Sequence, residues 1–345
     1  MMFFLPAVGC TGGGDDDDTA DPRTRYPTAT WSQKTTPAGS TLARADADRA
    51  GHTAVVHNAR MYIFAGKDET GLHNSLHVYD FFANTWQELA PGGTVPDARW
   101  RHGAAVINGK MYVIGGEGAA GALADVWEYD IAGNAWTRKS DAPFSRAGHA
   151  VSVSGNMIYV FCGKDETGTA IADMWEYDPV GDSWRQLLDK DAPPSPRDGA
   201  RASFFETIYL HGGDDGAGIW DNYLYKFDFA TWSWNTRTRY AEGRAYHASC
   251  FADARLYVFG GKLANGAFTN DLWEYDPYHY PNEYATETTE RTYLIHEDDP
   301  ARDPSPRAYA TGVAYDGKFY VYGGIDSAGN YLDELWECGL GFVMK

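Results

Sequence analysis

Short apolar runs recur along this chain, each bounded by the same punctuation. Between residues 99 and 143, Ala104-Ala105-Val106-Ile107 is followed by Asn108-Gly109 and then by Met111-Tyr112-Val113-Ile114. Two such runs joined by Asn-Gly predict a tight hairpin, because Asn-Gly takes the positive φ values of a two-residue turn. Both runs are apolar or small almost throughout, as in strands covered on both faces. After Gly115-Gly116 and a loop, Asp125-Val126-Trp127-Glu128-Tyr129-Asp130 alternates polar and apolar, the pattern of a half-buried strand. A Gly-Asn turn follows, and Trp136 opens a fourth strand predicted to end near Pro143.

The same unit occurs six times. Each copy starts at an arginine (Arg49, Arg99, Arg146, Arg197, Arg244, Arg307) and closes its second strand on a small pair, from Ala65-Gly66 to Gly323-Gly324. Successive arginines are 50, 47, 51, 47 and 63 residues apart. A period near fifty predicts supersecondary units packed against one another, not separate domains. Trp127-Glu128-Tyr129-Asp130 returns at 175–178 and at 273–276, and a tryptophan stands six residues after Asp80, Asp130, Asp178 and Asp228. Flat side chains at such fixed places fill the wedge between neighbouring sheets. Four antiparallel strands per unit make one propeller blade.

Arg-x-x-His, the apolar strand, the tyrosine before Gly-Gly, Trp-Glu-Tyr-Asp and the later tryptophan together resemble the Kelch repeat over residues 45–340. The resemblance implies an all-β, six-bladed β-propeller like the central domain of galactose oxidase. The sixth unit lacks an outer strand of the usual kind, and Thr30-Trp31-Ser32-Gln33-Lys34 matches Thr85-Trp86-Gln87-Glu88-Leu89. An N-terminal strand at 28–36 is therefore expected to complete blade six, with the alternative that residues 341–345 supply it; closure removes the exposed edges. The propeller is expected over 28–345, after a segment 1–27 of different character. In the fifth unit the tryptophan is absent; Thr292-Tyr293-Leu294-Ile295 is the expected outer strand and 277–288 a long loop before it.

Composition changes the picture little. The chain has 345 residues, 43% of them hydrophobic, enough for a packed core. A net charge of −19 argues against nucleic acid or an anionic membrane surface as partner. Four cysteines are few for a disulfide scaffold, and Cys162, Cys250 and Cys338 fall in different blades, where they read as small packing residues. Ala7-Val8-Gly9-Cys10 resembles the lipobox of a bacterial lipoprotein signal, followed by Gly12 to Gly14 and the acidic spacer Asp15 to Asp18. That likeness implies lipidation at Cys10, attachment to the cell envelope, and membrane contact only through that anchor. The absent basic start and short apolar run depart from it and leave a cytoplasmic location as the alternative.

The loop entering each first strand and the loop between the second and third open on one face. The six arginines there are expected to be structural, each paired with acids or carbonyls of an adjacent blade. Histidines three residues on (His52, His102, His149, His247) read as satisfied structural groups. No metal or cofactor is expected. The residues between arginine and histidine vary, and blades two, five and six place Trp100, Arg101, Tyr246 and Tyr309 at one rim, with Trp220, Phe268 and Tyr331 nearby in the loops. Exposed Trp, Tyr and Arg dominate binding hot spots; packing between loops is the alternative. Proteins resembling Kelch propellers include interaction modules, a copper oxidase, a sialic-acid epimerase and a plant specifier protein. The reading is a non-catalytic scaffold for a protein partner, with glycan binding or an epimerase-like activity at the same face as alternatives.

Overall fold

The computed structural model describes residues 25–34, 48–187, 194–218, 220–239, 242–279, 289–296 and 303–344. Four consecutive antiparallel strands make each of blades one to four; in blade one they are Thr53–His57, Arg60–Lys67, Leu72–Asp80 and Thr85–Leu89. In blade two the predicted hairpin is present, Gly103–Ile107 pairing with Lys110–Ile114 around Asn108-Gly109. Its outer strand, Ala135–Arg138, stops short of the expected Pro143. Blade five splits its inner strand into Arg244–Ala245 and Ala248–Ala252, and its outer strand is Thr289–His296, around the predicted 292–295. The expected 277–288 loop is partly corrected: the third strand, Phe268–His279, continues through 279, and 280–288 lie outside the described residues.

The strand-ending aspartates explain their own recurrence. Asp80 Oδ1 accepts the backbone N–H groups of Phe82 and Ala83, and Asp130 Oδ1 those of Ala132 and Gly133. A carboxylate that bonds the backbone two residues on nucleates the turn to the outer strand. The tryptophan six residues later then packs over the preceding blade. Trp86 lies 4.9 Å from Tyr322, Trp136 4.9 Å from Phe64, and Trp234 5.5 Å from Phe161, ring centre to ring centre.

Ring closure follows the same rule. The N-terminal strand Arg25–Lys34 runs antiparallel to Leu335–Met344, with Trp31 opposite Cys338. Trp31 is 7% exposed and sits 5.0 Å from Phe259 of blade five, the contact that an outer-strand tryptophan makes elsewhere. The strand starts three residues before the expected 28, and the expected residues 35 and 36 lie outside the described residues. The chain after 340 continues the third strand of blade six, so the alternative closure does not occur. Residues 1–24, with Cys10, also lie outside the described residues.

Candidate functional site

Among the described residues, the six arginines are large side chains buried almost completely, at 0–1% exposed. The expectation that they reach an adjacent blade is corrected, because the guanidinium bonds within its own repeat. Arg99 donates to both oxygens of Asp125 at 2.6 and 2.7 Å and to the Gly115 carbonyl at 2.9 Å. Arg146 binds Asp173 and Cys162 O likewise, and Arg244 binds Asp271 and Gly260 O. Arg197 pairs with Asp221 and Arg307 with Glu334. Fixed bidentate geometry of this kind is what a guanidinium offers and an ammonium does not. A tryptophan two residues on seals the pair: Trp127 Nε1 donates to Asp125 at 2.6 Å, as Trp175 does to Asp173 and Trp273 to Asp271. Burial works against ionisation of Asp125, yet the Arg99 hydrogen bonds and charge outweigh it and hold the carboxyl below its ordinary value. The acids escaped the sequence reading, although Asp-x-Trp in three units and Glu-x-Trp in the sixth was a legible signal.

What these arginines pass between blades is a backbone bond. The arginine carbonyl accepts the N–H of the second residue of the preceding unit's closing pair, as in Gly66 to Arg99 O and Gly116 to Arg146 O, both at 2.8–2.9 Å. Gly116, at φ 104°, shows why a side chain is excluded: a Cβ there would meet Trp100 O at 2.9 Å. A second ring closes nearer the axis. The residue two after each arginine donates its N–H to its counterpart in the preceding blade: Gly51 to Tyr309, Arg101 to Gly51, Gly148 to Arg101, Gly199 to Gly148, Tyr246 to Gly199 and Tyr309 to Tyr246, at 2.6–2.9 Å. All six sit at positive φ, between 55° and 69°. Blades one, three and four use glycine there, whereas Arg101, Tyr246 and Tyr309 hold a left-handed backbone that large residues rarely adopt.

These three large side chains form a plug over the mouth of the central channel. Tyr246 stacks on Tyr309 at 4.3 Å and 21°, and Trp100 lies 5.8 Å from Tyr309. The Arg101 guanidinium lies over both Trp100 and Tyr246, 5.5 and 5.6 Å from the ring centres. Across the axis, blade four contributes Asp198, which accepts from Arg101, from Tyr246 OH at 2.8 Å and from Lys164 at 3.3 Å. Burial first, and then the Asp198 charge, push the Tyr246 phenol well above its ordinary value. For Arg101, burial opposes the charge, and Asp198 more than offsets it.

The predicted rim residues thus come together unevenly. Tyr246 is buried and Arg101 mostly so, its side chain 12% exposed, and both bond Asp198 where exposed contacts were expected of them. Trp100 and Tyr309 are half-buried, and Trp220 and Phe268 pack beside Tyr246 and Tyr309 in one apolar cluster. Tyr331 stands apart, half-buried, its phenol raised by burial and by the nearby Asp68. Below the plug, His52 bonds Thr311 and His102 bonds Thr53, each reaching the preceding blade, and His247 bonds His211. Burial, followed by a neighbouring charged or histidine side chain, drives these rings well below 6.5, so they are neutral at physiological pH. Among the described residues no group of three metal-ligating side chains converges.

Comparison with known proteins agrees with this geometry. The chain is 27% identical to human Host cell factor 2 over 330 residues, which covers 84% of this chain and 41% of that protein. It is 26% identical to bovine Kelch domain-containing protein 3 over 207 residues, 56% of this chain and 52% of that protein. The chain therefore spans about half the length, or less, of these relatives. A family model, the KLHDC2/KLHL20/DRC7 Kelch-repeats domain, matches residues 8–213, 183–293 and 206–341. With six blades, a closed ring and that match, the chain belongs to the Kelch-repeat propellers, a family that is typically non-catalytic.

Proposed function

We propose that this propeller is a docking module for a protein partner, which it binds on the rim bearing Trp100, Tyr309, Trp220 and Phe268. One observation carries the reading: at this rim three large residues hold the positive φ that glycine holds in blades one, three and four, with φ of 55°, 59° and 59°. Backbone strain of that kind costs on the order of 1 kcal/mol or more per residue and is concentrated where function needs it. The strained trio, Tyr309 among them, holds its own rings and the neighbouring Trp100 in a fixed pose, and a preorganised aromatic is what a hot spot requires. The net acidity of the chain, −19, favours a basic partner surface.

The test is site-specific photo-crosslinking in the native cell. A crosslinker replacing Trp100 is expected to capture a protein that a crosslinker at Val180, an exposed turn residue between strands three and four, does not. Capture from position 180 alone places the functional surface on the opposite face. Retention on a glycan array that is lost in Trp100→Ala, with no protein captured, favours the carbohydrate reading instead. A lipid tether at Cys10 is a further part of the proposal, supported by Ala7-Val8-Gly9-Cys10. It predicts fatty-acid incorporation that Cys10→Ser abolishes; unmodified Cys10 in the mature protein refutes it.

A further inference from the structure

The residue after the histidine position begins the inner strand of every blade. In five blades it is small: Thr53, Gly103, Ala150, Ala248 and Thr311. Blade four places Arg201 there. Its Nε donates to His247 O at 3.0 Å and its Nη1 to Ala200 O at 3.4 Å. A guanidinium has five N–H donors, so most are not used by these two bonds, and Arg201 lines the central cavity of about 130 Å³. Among the described residues no carboxylate lies within ion-pair distance of Arg201, whereas each of the buried repeat arginines from blade two to blade six has one.

The surrounding groups do not supply the missing charge. The histidines near the cavity are neutral. At the plug, Arg101 and Lys164 are balanced by Asp198 and Glu117, with Arg101 to Glu117 at 3.4 Å and Lys164 to Asp198 at 3.3 Å. One positive charge is left over, on Arg201. Burial, and then the like charge of Arg101, lower the guanidinium to about 10, which still leaves it charged at neutral pH. Arg201 is half-buried, and partial burial of a charge without a counter-charge carries a cost that falls when an opposite charge joins it with good hydrogen bonds. Ser249 of blade five and Thr311 of blade six line the same cavity.

We propose that the central channel binds one small monovalent anion, a halide or an oxyanion of formate size, on the Arg201 guanidinium. The class follows from three features. The uncompensated charge is single. The cavity takes an ion with a few waters but no chain-like ligand. The Arg101–Tyr246–Tyr309 plug bars a peptide or sugar carboxylate from entering at the rim. Arg201 is placed by a departure from the repeat that packing alone does not demand, since the five other blades close the same wall with small residues.

Bromide is the probe. Crystals of the full chain grown with sodium bromide as the only halide are expected to show an anomalous peak in hydrogen-bond range of the Arg201 guanidinium. In solution, the thermal midpoint of the wild type should rise saturably in bromide or formate relative to gluconate at equal ionic strength, gluconate being too large to enter. Arg201→Met should abolish that difference. Ser249→Asp places a carboxylate inside the channel; it should remove both the peak and the anion response, and it serves if Arg201→Met fails to fold. Absence of the peak, a peak without any solution response, or an equal response in Arg201→Met or Ser249→Asp would overturn the proposal.

Discussion

Asp125→Asn removes one charge from a pair whose arginine, Arg99, is 0% exposed. The guanidinium stays charged and keeps two neutral acceptors, Gly115 O and Asp97 O, each at 2.9 Å. Breaking a buried pair from one side costs about 3–5 kcal/mol, because the remaining charge is left uncompensated. The two carbonyls and the surviving amide oxygen of Asn place the expected loss near the lower bound, about 3 kcal/mol. An internal control stands in the same blade: Arg138 and Asp141 pair at 2.9 Å, but their side chains are 57% and 49% exposed. Asp141→Asn is expected to cost no more than about 1 kcal/mol. Urea unfolding at pH 7, followed by tryptophan fluorescence, separates the two. An Asp125→Asn variant within about 1 kcal/mol of wild type would show that these arginines are not held by their carboxylates. Acid provides a second reading. The folded carboxyl lies below its ordinary 3.8, so its contribution is present above that value and is lost as pH falls through the folded one. Wild type and Asp125→Asn should therefore converge in stability on acidification.

Deleting residues 1–34 removes the outer strand of blade six; the exposed edge should lower the melting temperature and cause aggregation in light scattering, and a variant that melts like the full chain would refute the closure. Gly148→Ala puts a methyl group into Asp198 and the Arg101 guanidinium at φ 67°, whereas Gly155→Ala, at φ 60°, meets nothing within 4 Å. The first should destabilise by at least ~2 kcal/mol more than the second, and equal losses in urea would mean the plug is soft. Burial raises the Cys162 thiol to about 11 and the Cys338 thiol to about 12, so peptide mapping after iodoacetamide at pH 8 should find both unlabelled until the protein unfolds. Native labelling of either would contradict the packing.

The architecture was legible because it depends on local chemistry repeated six times. Asn108-Gly109 specifies a hairpin wherever it lies, and the aspartate before each outer strand bonds its own turn, so neither needs the rest of the fold. Trp31 was assigned to blade six by likeness to Trp86, and the likeness held because both fill the same wedge between blades. The partner of each arginine was misplaced for a related reason. Side-chain reach across a hairpin and across a blade interface look alike along the chain, and only the folded sheet shows that Asp125 comes back beside Arg99.

The sequence by itself determined the blade and the number of blades, since each follows from spacing and residue type, and it favoured the N-terminal strand for closure, which the pairing of 25–34 with 335–344 decided. It also marked Trp100, Arg101, Tyr246 and Tyr309 as departures from the repeat. Only the tertiary structure decided what those departures do. A six-fold ring brings residues 97 positions apart, Arg101 and Asp198, into contact over one axis. It packs Arg101, Tyr246 and Tyr309 into one plug on Asp198, with Trp100 half-buried beside it. Arg201 is the clearest case. Along the chain it is one arginine among many; at the axis the same residue lines a cavity where, among the described residues, no carboxylate pairs with it.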